Sequence, residues 1–115
     1  MIPMRDGVRL YTSIYAPINS NDCPVLIVRT PYSCAPYGEG WKGDLTEYMQ
    51  EFLKNSYMVV FQDVRGRYMS EGQYVNVRPY DPDKSGNETD EASDTYDTIE
   101  WLINNTDNNG AVGVT

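Results

Sequence analysis

The chain has 115 residues, which is enough for one small domain but near the lower limit for an α/β fold with both sheet faces covered, so it reads as a piece of something larger. Nine Lys and Arg against 17 Asp and Glu give a formal charge of −8, which argues against a phosphate-backbone binder and sets nucleic acid aside as a partner. Cys23 and Cys34 form neither a disulfide framework nor the paired spacing of a zinc site, and the lack of any histidine excludes a complete Ser-His-Asp or Cys-His site within these residues.

No run approaches the ~18 apolar residues of a membrane span, so a soluble chain without a membrane partner is expected. The amino terminus has no charged region followed by an apolar core, and the compartment is left open.

Met4 to Gly7 is a turn signal. Val8, Leu10, Thr12 and Ile14 then alternate with Arg9, Tyr11, Ser13 and Tyr15, which predicts one half-exposed strand ending at Ala16-Pro17. Asn19 to Asp22 is a polar loop. The continuous apolar run Pro24 to Val28 predicts a buried strand of a parallel sheet, stopping at Arg29-Thr30-Pro31-Tyr32. Ser33 to Gly43, crowded with glycine, proline and aromatic residues, predicts an irregular segment at the sheet edge. Leu45, Tyr48, Met49, Phe52 and Leu53 recur at helical spacing and predict a helix from about Asp44 to Lys54.

A second buried strand follows at Tyr57 to Phe61, completing one right-handed βαβ unit. Gln62, Asp63, Arg65 and Gly66 come next, just outside the carboxyl end of that strand, where open α/β sheets place their ligands. Tyr74 to Glu91 is a polar insertion without apolar periodicity. Thr89 or Asp90 caps the next helix, whose buried stripe is read as Ala92, Tyr96, Ile99, Leu102 and Ile103. A turn over Asn104 to Gly110 leads into Ala111 to Thr115, a further buried strand.

Three features invite a chemical reading. Asp63 and Arg65 are read as pairing with each other or with backbone groups so that the crossover turns tightly, with a catalytic role as the alternative. Asp81 to Gly86 follows the first six positions of an EF-hand calcium loop, but the twelfth position is Ala92 and no helix enters, so a solvated acidic insertion is the reading and no metal or cofactor is expected. Tyr32 differs from the other tyrosines in sitting directly after a buried strand. Its ring either packs, or its phenol donates a hydrogen bond into a cleft at the ligand edge.

The stretches MRDGVRLYTSIYAP, PVLIVRTPY, VVFQDVRGRYMSEGQY and DTYDTIEWLINNTDNNGAVGVT, in that order and spacing, resemble the amino-terminal part of the CocE/NonD acyl esterases, relatives of X-Pro dipeptidyl-peptidase. The acidic insertion from Arg78 to Glu91, followed by Asp94 to Trp101, is most similar to the α-amino-acid ester hydrolase and glutaryl acylase branch. The resemblance implies that residues 1–115 are an amino-terminal fragment of an α/β-hydrolase domain, a mostly parallel sheet with helices on its faces. The family's cap and carboxyl-terminal jelly-roll domains are then absent. It also implies that the strand from Ala111 leads into a G-x-S-Y-x-G nucleophile elbow, with Ser, Asp and His all beyond Thr115. One catalytic group carries over, the oxyanion-hole tyrosine of the R-T-P-Y motif, which falls on Tyr32. The implied substrate is a small-molecule ester, an amide or an X-Pro peptide, and the fragment alone is expected to be inert and to self-associate. The rival expectation is a noncatalytic ligand-binding module with a hydrolase-like half-fold, its ligand held by the loop from Pro31 to Trp41.

Overall fold

A computed structural model describes residues 1–18, 21–38, 45–76 and 78–115. Strands β1 (Ile2–Pro3) and β2 (Arg9–Leu10) pair antiparallel around the Met4–Gly7 turn, where Met4 and Val8 are joined through their backbones. Strands β3 (Thr12–Tyr15), β4 (Cys23–Thr30), β5 (Met58–Asp63) and β6 (Asn108–Val114) form an open sheet in the order β3-β5-β4-β6. β4 runs parallel to both β5 and β6, while β3 is antiparallel to β5. Helices α1 (Glu47–Lys54) and α2 (Glu91–Asn105) make this an α/β fold with a mixed sheet. Among the described residues no helix is long and apolar enough to cross a membrane.

The two apolar runs form β4 and β5, paired in register from Val25↔Met58 to Thr30↔Asp63. Side chains alternate across a strand, so Val25, Ile27 and Arg29 share one face with Met58, Val60 and Gln62. The lower part of that face is apolar and joins Ile2, Met4, Leu10, Cys23 and Leu102 in the core. The upper part is polar. The opposite face carries Leu26, Val28, Val59 and Phe61, and a cavity of about 170 Å³ lies there between Phe61, Tyr15, Cys34 and Met49 of α1.

Several expected boundaries move. The single strand read from Val8 to Tyr15 splits at Tyr11, whose N–H donates to Ser70 Oγ and whose carbonyl accepts from the Asp63 N–H. Leu10 thereby stays with Ile2 while Thr12 begins the large sheet. α1 starts at Glu47 behind the Thr46 cap, whose hydroxyl accepts from the Met49 N–H. The expected start at Asp44, the loop beyond Gly38 and part of the Asn19–Asp22 loop lie outside the described residues.

The buried stripe of α2 is also different. Ser93, Asp94, Thr98 and Leu102 are buried and Ile99 packs against the core, whereas Ala92, Tyr96 and Ile103 are exposed. The helix lies over the polar part of the sheet, and Thr98 exchanges hydrogen bonds with Gln62 at 2.9 and 3.2 Å. Finally, β6 begins at Asn108 rather than Ala111. The Asn108 side-chain amide donates to the carbonyls of Leu102, Ile103 and Thr106, closing the end of α2 without a long turn. β6 is an edge strand, and against expectation Ala111, Gly113 and Val114 are exposed.

Candidate functional site

β4, β5 and β6 point the same way, so their carboxyl ends meet at one edge. Thr30 pairs with Asp63, and β6 finishes beside Ile27, where the Thr115 N–H donates to the Ile27 carbonyl at 2.9 Å. The segment leaving β4 is held by hydrogen bonds to its backbone. The Val64 N–H donates to the Thr30 carbonyl at 3.0 Å, and the Tyr32 N–H donates to Thr30 Oγ1 at 3.0 Å. Arg67 Nε donates to the Pro31 carbonyl at 3.0 Å. Tyr32 itself is 81% exposed, and its hydroxyl has no hydrogen-bond partner among the described residues.

Asp63 is fully buried at the end of β5 and faces the same segment. Its Oδ1 accepts from the Cys34 N–H at 2.7 Å; its Oδ2 accepts from the Tyr37 hydroxyl at 2.8 Å and from the Met69 N–H at 3.4 Å. Tyr37 also meets Ser33 Oγ at 2.7 Å, and its ring stands edge-on to Tyr11 at 4.8 Å. Burial, reinforced by the Asp63 charge, pushes the Cys34 thiol up to about 12. Burial does the same to the Tyr37 phenol, also to about 12, against the opposing bond from Ser33. Both groups stay neutral beside the carboxylate.

Of the readings left open for Asp63 and Arg65, the backbone one describes Asp63, and mutual pairing fails. Arg65 turns to the other face, where its guanidinium forms forked pairs with Asp94 (2.7 and 2.9 Å) and with Asp6 (2.7 and 3.2 Å). Arg29 lies beside them, bonded to Gln62, Glu91 and Thr95. These contacts tie α2 to the sheet. Nothing local in the sequence marks Asp94 or Asp6 for these pairs, because their shared partner Arg65 lies 29 and 59 residues away.

The Asp81–Gly86 segment is organised from within. The Asp83 N–H donates to Asp81 Oδ1, and Lys84 Nζ sits 3.0 Å from Asp90 Oδ2. Asp90 also caps α2 in a reciprocal pair with Ser93. Among the described residues no group of three or more Asp, Glu, Cys or His side chains converges for a metal.

Chemically, the edge offers an unengaged phenolic O–H, an acidic group already saturated by N–H and O–H donors, and neutral neighbours. An O–H so placed can donate to an oxygen atom presented from solution. It cannot act as nucleophile and base together.

The X-Pro dipeptidyl-peptidase (S15 family) model matches residues 6–115. The chain is 37% identical over 114 residues to cocaine esterase of Rhodococcus sp. (strain MB1 Bresler), covering 99% of this chain and 18% of that protein. A solved α-amino acid ester hydrolase superposes with a TM-score of 0.82 at 42% identity, over 99% of this chain and 20% of its own. An aminopeptidase from a marine sediment archaeon, Thaumarchaeota archaeon, gives a TM-score of 0.84 at 37% identity, again over 99% and 20%. The chain thus spans about a fifth of the length of these relatives. As its four motifs anticipate, the chain belongs to the X-Pro dipeptidyl-peptidase (S15) family.

Proposed function

We propose that the whole protein is a serine hydrolase that cleaves ester or amide bonds through an acyl-enzyme. Residues 1–115 are then the amino-terminal part of its α/β-hydrolase catalytic domain, and the Tyr32 hydroxyl is one oxyanion donor. The observation that carries this reading is the placement of Tyr32: an exposed, unengaged hydroxyl at the edge where β4 ends and toward which β6 runs. In α/β-hydrolases the nucleophile occupies the sharp turn after the strand corresponding to β6. That turn would pass beside the segment carrying Tyr32.

When the serine attacks an acyl carbon, negative charge gathers on the carbonyl oxygen, and preorganised donors aimed at that oxygen lower the barrier. The backbone N–H after the serine supplies one donor and the Tyr32 O–H the second. The serine, the acid and the histidine all follow Thr115, so residues 1–115 alone are inert. The names of the relatives support a small ester, an amide or a peptide as the substrate class.

A fluorophosphonate probe on the whole protein tests this reading. One adduct is expected on a serine shortly after Thr115, together with turnover of p-nitrophenyl esters, amino-acid esters or X-Pro anilides. A folded whole protein that neither labels there nor turns over any of these would instead be a binding module.

A further inference from the structure

Tyr32 is largely exposed, so among the described residues the point from which its hydroxyl reaches out is set by its backbone more than by neighbours of its ring. Two side chains, one at the end of β5 and one in its exit loop, reach across to that backbone. Arg67 donates to the carbonyl of Pro31, the residue before Tyr32. Asp63 accepts from the N–H of Cys34, two residues after it, and from Tyr37 farther along. Both anchors are themselves fixed. Asp63 ends the central strand β5, and the turn holding Arg67 is closed by Arg67 N–H to Val64 carbonyl (3.1 Å) and Ser70 N–H to Arg67 carbonyl (3.0 Å).

From this bracketing we infer that Asp63 and Arg67 are positioning residues for the Tyr32 hydroxyl, an inference that rests on the oxyanion reading above. Neither touches the reacting atoms. They carry the stiffness of β5 to the backbone from which the Tyr32 side chain projects, a side chain whose hydroxyl has no other anchor among the described residues. A displacement near 1 Å in a catalytic group costs about 10²-fold in rate. A residue that merely braced the loop would affect stability and leave the rate alone.

The test is a set of double-mutant cycles in the whole enzyme with Asp63→Asn, Arg67→Ala, Arg67→Lys and Tyr32→Phe. Asp63→Asn and Arg67→Ala should each lower kcat about 10- to 10²-fold while KM stays within about threefold. Arg67→Lys, which keeps a donor for the Pro31 carbonyl, should recover part of the loss. In the Tyr32→Phe background the same substitutions should cost less than about threefold more, because residues acting through one group are not additive. If their cost is undiminished there, the positioning inference is wrong while the oxyanion reading stands. If Tyr32→Phe is itself as fast as the parent, the oxyanion reading falls and takes this one with it. Should the buried Asp63 variant fail to fold, the half-buried Arg67 decides, and an Arg67→Ala enzyme with parental kcat overturns the inference.

Discussion

A methyl group on Gly66 would stand 2.1 Å from the Tyr74 amide nitrogen, on a backbone already at φ +72°. Both facts forbid a side chain, since a left-handed residue is strained by itself and the clash is with backbone that cannot swing away. Gly66→Ala should therefore lower stability by more than about 2 kcal/mol, adding backbone strain to displacement of Tyr74. The urea midpoint checks this, and an unchanged value would contradict it. The same close approach explains why the β5 exit loop is compact enough for its side chains to reach the Tyr32 segment.

At the scale of elements, the two sides of the α2 apolar stripe should part company. Leu102 is fully buried and Ile103 is 38% exposed. Leu102→Ala should cost about 2–5 kcal/mol, and Ile103→Ala no more than about 1 kcal/mol. Equal costs in urea unfolding would mean that the helix is rotated from the position described. The stripe misled because hydrophobic periodicity finds a buried face only when that face is apolar. Here the buried positions include Ser93, Asp94 and Thr98, satisfied by Arg65, Gln62 and the Asp90 cap. By contrast β4 and β5 were plain in the sequence, because strands covered on both faces must be apolar throughout. The Asp90 cap was also legible, its chemistry being local. Tyr32 stood out by its position after a buried strand, but the oxyanion role proposed for it came from the resemblance. The contacts of Asp63 with Cys34 and Tyr37, and those of the Arg65 and Arg67 side chains with Asp94, Asp6 and Pro31, were hidden because each spans at least 26 residues.

The whole molecule has a pH window set by two sets of groups. The Asp6 and Asp97 carboxyls lie below their ordinary value of 3.8, because bonds from Arg65 and Arg5 outweigh the upward push of burial. Asp90 is lowered as well, first by the Asp81 N–H and then by Ser93 and Lys84 against burial. Such depressed acids contribute stability above about pH 4 that is lost as the pH falls through their folded values. Cys34 and Tyr37 act at the other end. Raised to about 12 from 9.0 and 10.0, they contribute fully below about pH 9 and progressively less as the pH climbs toward 12. The urea midpoint should thus be highest near neutrality and fall on both sides, and a value still rising above pH 10 would contradict this.

The open edge at β6, with Val114 50% exposed, is the molecule's other general liability. Residues 1–115 in isolation should self-associate on a sizing column as concentration rises. A monomer at every concentration would show that the edge is protected.

On the proposed function, these elements serve to place one hydroxyl where a reacting carbonyl oxygen would gather charge. The most direct test is the kinetics of Tyr32→Phe in the whole enzyme on its best ester. Losing one oxyanion donor should lower kcat about 10²- to 10³-fold, roughly 2.7–4 kcal/mol, with KM nearly constant because the donor acts on the transition state more than on the bound ester. The melting temperature should hardly move, since the ring is retained and exposed. A kcat within about threefold of the parent, or a loss seen mainly as a lower melting temperature, would contradict the account and leave Tyr32 without a catalytic role.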